Sequence, residues 1–222
     1  MQVWKSNAVK AAAAALFALT AAGPVLSHPH IFAEARLDVS VDQNRNVETL
    51  HHVWRFDDLF SSTVLVEFDK NQDMKLDADE LKDVADTVYS SLAEYGYFQI
   101  VTQDGKDVTM QAPDRLIADF VDNQLIILFE SKPKTALSLK GKVDFAIYDP
   151  TFYTAIDFLE DEYMTVDAMP DDCTRRVIRP DADEAIAQNQ QTLTEAFFND
   201  PTGNDMSKIF ATRLEIACGK DS

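Results

Sequence analysis

Basic residues are scarce in this chain of 222 residues: 20 Lys and Arg stand against 38 Asp and Glu, a formal charge of −18. Such a balance argues against nucleic acid or an anionic membrane surface as a partner, because there is no basic patch with which to displace counterions. Cysteine is scarcer, with only Cys173 and Cys218 and no C-x-x-C that would mark a redox or zinc site. Histidine occurs four times, as His28, His30, His51 and His52, all in one short stretch. The chain has no G-x-S-x-G, no H-E-x-x-H, no Gly-rich phosphate or dinucleotide loop, and no nucleophilic Cys beside a His. The usual motifs of hydrolases and nucleotide enzymes are therefore missing, and the chain reads as a non-enzyme. No internal repeat or low-complexity linker divides it, and no run approaches the ~20 apolar residues of a membrane helix.

What is present is enough to fold: 46% of residues are apolar and 10% aromatic. Residues 1–27 have the form of a secretory signal. Lys5 and Lys10 make a positive start, Ala11 to Ala22 an apolar stretch, and Val25-Leu-Ser27 a cleavage site, with the position after Ala22 as the alternative. Cleavage after Ser27 leaves residues 28–222 as a single exported domain, expected in a bacterial periplasm, without membrane insertion and with a charge of −20. In that compartment the even pair Cys173 and Cys218 reads as a structural disulfide.

Ile31 to Val41 alternates at period 2, as do Leu50, His52, Trp54 and Phe56 after the polar turn Asp42-Gln-Asn-Arg-Asn46, so the two segments read as a β-hairpin. Phe60, Val64, Leu65 and Phe68 then recur at helical spacing, and so do Leu81, Val84, Ala85, Val88, Leu92 and Tyr95. Period 2 returns over 98–103, 106–112, 115–121, 124–131 and 138–148. Asp183 to Phe198 reads as a surface helix and Ile209 to Cys218 as a last strand. The expected fold is α+β: a mainly antiparallel, sandwich-like β core with an EF-hand-like helix–loop–helix inserted at about 57–95 and a C-terminal helix.

The loop of that insertion, Asp69 to Glu80, has the spacing D-x-N-x-D-x-x-L-x-x-x-E. In a twelve-residue calcium loop Asp69, Asn71 and Asp73 supply positions 1, 3 and 5, the Lys75 carbonyl position 7, Asp77 position 9 and Glu80 the bidentate position 12. Met74 stands at position 6, where the turn calls for glycine, and a side chain there costs about 1–2 kcal/mol. Calcium is thus one candidate ion.

The histidines point to another. A chain beginning at His28 would carry a free α-amine beside an imidazole, and His30 falls on the same side of an extended strand, a donor set suited to Zn, Ni or Cu. Pro29 has no N–H to deprotonate, so a site here must use side chains and the terminal amine. Centring the hairpin near Asn44 sets His52 opposite Arg36, about six residues or roughly 20 Å from His30. His51 and His52 are therefore further candidate ligands only if a bulge, another strand partner or a mobile terminus closes that gap.

His28-Pro-His-Ile-Phe32, His52-Val-Trp-Arg-Phe-Asp57 and the Phe68-to-Glu80 loop, followed by Asp149-Pro-Thr-Phe-Tyr153 and Phe210 to Cys218, together resemble a bacterial family. It is the domain of unknown function family numbered 1007, labelled as a periplasmic component of an ABC-type transport system. The resemblance spans the mature chain. It implies a metal-handling role beside a nickel/cobalt-type or zinc permease of the inner membrane. The family's loop carries Gly where this chain has Met74. Asp149-Pro150 also reads as a turn leading into core aromatics, Phe152 and Tyr153.

The leading expectation is a periplasmic accessory that captures or presents Zn or Ni/Co to an inner-membrane permease. His28 and His30 would be ligands, with His51 and His52 as further ones. The alternatives are a calcium-stabilised interaction module with purely structural histidines, and a copper redox protein in which the terminal amine and two imidazoles form a brace.

Overall fold

The computed structural model describes residues 29–199 and 207–219. Residues 1–27, read above as a secretory signal, and His28 lie outside the described residues.

Two long strands open the fold. In β1 (Ile31–Val41) alternate residues Ala33, Ala35, Leu37, Val39 and Val41 are buried; in β2 (Val47–Phe56) Leu50, His52, Trp54 and Phe56 are buried. The period-2 pattern thus sets which face packs inward. They pair antiparallel, but the register slips between Ser40 and Val41, so His52 faces Leu37 and not the expected Arg36. The cause is local. Asp42 gathers the backbone N–H groups of Asn44 and Asn46 at 2.8 and 2.7 Å, and Arg45 takes a left-handed φ of 66°. The extra residue is on β2: Ser40 faces Thr49 and Val41 faces Val47, so Glu48 is left without a partner, as in a bulge.

Helix α1 (Asp58–Phe68) begins where the Asp57 carboxylate accepts the Phe60 N–H at 2.9 Å; its other oxygen accepts the Phe32 N–H at 2.9 Å, tying the helix start to β1. Helix α2 (Ala78–Leu92) is entered through a capping box made by Asp77 and Glu80. Val64 of α1 and Val84, Ala85 and Leu92 of α2 join the core. Ser61 is buried because its hydroxyl accepts the Leu125 N–H at 2.9 Å.

The remaining strands are β3 (Gln99–Gln103), β4 (Lys106–Asp107), β5 (Leu116–Val121), β6 (Gln124–Ser131), β7 (Gly141–Ile147), β8 (Thr154–Asp157), β9 (Met164–Asp167), β10 (Cys173–Ile178) and β11 (Arg213–Cys218), with helix α3 (Ala182–Asn199) between the last two. One sheet runs β5-β6-β2-β1, with β8 and β9 both added parallel to β1, β8 along Ile31–Glu34 and β9 along Leu37–Ser40. The other runs β10-β11-β7-β3-β4, antiparallel throughout. Leu37, Leu50, Trp54, Ile127 and Phe129 from the first and Val101, Val143, Phe145, Leu214 and Ile216 from the second share one core. This is the expected α+β, mainly antiparallel, sandwich-like architecture.

Two strand expectations and one core expectation need correction. The 106–112 segment keeps only Lys106–Asp107 as strand, beyond which Met110 and Gln111 bond instead to the 132–133 region. The last strand starts at Arg213, after a 3-10 turn at Ser207–Phe210. Phe152 and Tyr153, expected in the core, are 46% and 48% exposed. Asp149 nevertheless shapes that turn, accepting the Thr151 and Thr154 N–H groups at 2.8 Å each.

Cys173 and Cys218 are bonded, and stand directly opposite one another on β10 and β11. Among the described residues no helix is long and apolar enough to cross a membrane.

Candidate functional site

The histidine stretch divides among three environments. His30 is exposed just before β1, its backbone N–H bonded to the Tyr153 carbonyl at 2.9 Å and its ring 5.0 Å from that of Tyr153. His51 and His52 are neighbours on β2 and so point to opposite faces. His51 lies on the outer face, its Nδ1 3.3 Å from Glu130 Oε1 and its Nε2 3.3 Å from Ser40 Oγ.

His52 lies in the core, 2% exposed, its ring stacked on Phe129 at 4.3 Å. Its Nε2 meets the Ser131 hydroxyl at 3.4 Å, and its Nδ1 has no partner. Burial pushes its pKa down to about 3, the Gln99 side chain opposing the shift and the charge of His51 adding to it. Ser131 in turn donates to Gln99 Oε1, which anchors the histidine pair to the second sheet.

The structure does not bring these side chains together. His52 faces Leu37, seven residues along β1 from His30, or roughly 23 Å at strand rise. The bulge lengthens the separation instead of closing it. Among the described residues no group of three or more His, Cys, Asp or Glu is arranged to hold a metal ion. The donor chemistry at the start of β1 still suits a transition metal: one exposed imidazole, two residues from His28, on a backbone pinned to β8 by hydrogen bonds to Tyr153.

The acidic loop between α1 and α2 is knit by its own backbone. Asp69 accepts the Asp73 and Met74 N–H groups at 3.2 and 2.8 Å, Asn71 accepts that of Asp73 at 2.8 Å, and Asp73 that of Lys75 at 2.9 Å. Asp77 caps α2 through the Asp79 and Glu80 N–H groups at 2.9 and 3.0 Å. Glu80, 3% exposed, accepts the Lys70 N–H at 2.7 Å and the Asp77 N–H at 2.9 Å, so one buried carboxylate ties the two ends of the loop together. Lys70 also pairs with Asp83, whose pKa is thereby lowered.

The sixth position has the left-handed backbone that the sequence spacing requires: Met74 sits at φ 62° with its side chain 69% exposed. Met74→Gly therefore removes steric strain and no packing. It is expected to stabilise the fold by up to about 1 kcal/mol, the relief being partly offset by the greater entropy of the unfolded chain. A rise of about 2–4 °C in Tm would register it; a fall would show that the side chain makes a contact worth more than the strain.

With the ordered blocks now placed, from His30 through the Asp57 cap and the acidic loop to the turn at Asp149 and β11, the relationship of the chain can be stated. A family model described as "Protein of unknown function (DUF1007)" matches residues 13–218. The chain belongs to the DUF1007 family. An uncharacterized protein of Haemophilus influenzae (strain ATCC 51907 / DSM 11121 / KW20 / Rd) is 24% identical over 197 residues, which cover 87% of this chain and 92% of that protein. In this DUF1007 chain, sequence reasoning missed the partners of His51, because Ser40 and Glu130 reach it through strand register. It also missed the surface groove beside His51, whose walls come from segments far apart in sequence.

Proposed function

We propose that this protein is a periplasmic metal-binding accessory that presents Zn²⁺ or Ni²⁺/Co²⁺ to an inner-membrane permease. The observation carrying this reading is the fixed start of β1. The His30 and Ile31 N–H groups both bond to the Tyr153 carbonyl, at 2.9 and 3.2 Å, which holds an exposed imidazole next to the place where a chain cleaved after Ser27 would begin. The His30 imidazole, together with the α-amine and imidazole of His28, makes a nitrogen donor set appropriate to these metals. His51, with Glu130 beside it, offers a separate imidazole–carboxylate pair on the outer face. The disulfide fits an oxidising compartment.

Native mass spectrometry of protein taken from the periplasm tests the reading. The expected result is a chain starting at His28 that retains one transition ion, and a His28→Ala/His30→Ala variant with at least tenfold weaker affinity. A double variant of unchanged affinity would sink the assignment.

The closed acidic loop favours a second reading, a calcium-stabilised interaction module. Glu80 would turn from its two backbone donors toward an ion held by Asp69, Asn71 and Asp73, with Asp77 and the Lys75 carbonyl completing the shell. A large calcium-dependent rise in Tm without transition-metal binding would move the conclusion to it. Oxygen consumption by copper-loaded protein with a reductant would instead support the copper brace.

A further inference from the structure

The outer face of the first sheet carries a groove with a volume of about 680 Å³. Its floor is apolar: Val53 and Ile117 each stand opposite Leu128 on adjoining strands, with Ile117 substantially exposed. One wall is the 109–115 segment, clamped to 132–134 by the bonds Gln111 N–H to Lys132 O at 2.8 Å, Lys134 N–H to Thr109 O at 2.8 Å and Gln111 Nε2 to Pro133 O at 3.1 Å. The groove is thus built by backbone pairing.

Its charges are unusual for this chain. Each other described arginine has a carboxylate, a carbonyl or, for Arg36, the Tyr163 ring as partner. Arg115 has none among the described residues, despite an excess of carboxylates in the chain, and it lines the groove together with Lys132, likewise without an ion pair. Asp114 and Glu130 line the same groove, Glu130 beside His51. A lining with two cations, two carboxylates and an apolar floor suits a ligand of the same kind. A plain polyanion meets Asp114, Glu130 and the −18 charge of the chain; a plain cation meets Arg115 and Lys132.

We infer that this groove binds an apolar zwitterion, an amino acid or short peptide whose carboxylate is taken by Arg115 and Lys132 and whose ammonium is taken by Asp114 or Glu130. The apolar side chain lies over Val53, Leu128 and Ile117. The volume is in the range of small-ligand sites. The proposed metal site at the β1 start does not line this groove, although His51 and Glu130 of the outer-face pair do.

The test is calorimetric titration of the mature protein with the dipeptide Leu-Leu, with free leucine, and with Leu-Leu capped at either end, followed in parallel by methyl NMR. Saturable binding that shifts the Val53, Ile117 and Leu128 methyls is expected. Capping either terminus should weaken it at least tenfold, and Arg115→Gln should do the same, with Lys132→Gln as the second variant. Leucine binding as tightly as the dipeptide would assign the site to single amino acids, and tighter dipeptide binding to peptides; both uphold the inference. Absence of saturable binding at millimolar concentration, equal binding of the capped forms, or affinity unchanged in both variants would overturn it.

Discussion

Replacing both Cys173 and Cys218 by Ala is expected to lower the free energy of unfolding by about 4 kcal/mol, the chain-entropy value for opening a loop of this size. The bridge closes a sequence separation of 45 residues, which holds helix α3 and the segment that returns to β11. It joins residues already opposite in the β10–β11 ladder, so it fixes an existing register and adds no new approach of distant surfaces. The other ties of the edge strand β10 are of modest strength. Arg176 pairs with Glu215 at 2.6 Å, Arg45 with Asp172 at 2.9 Å just before the strand, and Arg175 bonds to the Met164 carbonyl at 2.7 Å. Partly exposed pairs of this kind contribute about 0–1 kcal/mol each, so they do not replace the cross-link. Urea unfolding of oxidised wild type and the double variant measures the effect. A lower midpoint is expected, with an m-value equal or larger, because an uncross-linked unfolded chain exposes more surface. A loss below about 1 kcal/mol would mean that the unfolded chain is already restrained without the bridge.

Much of the fold was legible because its longest elements obey single periods. The inward residues of β1 and β2 follow from alternation alone, and the two helices around the acidic loop from helical spacing. β8 and β9 were not legible. Each has four residues, and each is a strand because it lies parallel against part of β1, which is a tertiary fact. β6 shows the limit of periodicity. Leu125-Ile-Ile-Leu-Phe129 is apolar throughout, as expected of a strand covered on both sides. Only Leu125, Ile127 and Phe129 are fully buried, while Leu128 floors an open groove.

The candidate sites divide in the same way. The order of donors in the acidic loop is local, and it predicted the left-handed residue at Met74. The histidines depended on register, and one bulge opposite Ser40–Val41 was enough to displace His52 from its expected partner. The lone arginine of the groove could not have been recognised from sequence. Its significance lies in the absence of an ion pair to it among the described residues, and that requires the positions of the carboxylates.

His52 gives the acid response of the fold a definite shape. In the unfolded chain its imidazole titrates near the ordinary value of 6.5, whereas burial between Phe129 and Trp54 holds the folded form neutral down to about 3. The unfolded state therefore binds the proton first, and stability must rise with pH between those two values. The contribution is fully present above about pH 6.5 and is lost on acidification at about 1.4 kcal/mol per unit, reaching about 2 kcal/mol at pH 5. The missing partner at Nδ1 reinforces the effect, since a protonated ring would bury a second N–H donor with nothing to accept it. His52→Gln removes the titration while keeping a neutral polar side chain beside Ser131. It is expected to cost about 1–3 kcal/mol at pH 7.5 through lost stacking and packing, yet to show a flatter dependence, so that the gap between variant and wild type narrows by about 2 kcal/mol at pH 5. Urea titrations at the two pH values measure the difference directly, and carboxylates common to both proteins cancel in it. The His52 ring protons, followed by NMR, should not shift as the pH is lowered from 7 to 4. A ring that titrates near 6 would show that the imidazole reaches water or an acid, and the core position of this histidine would have to be redrawn.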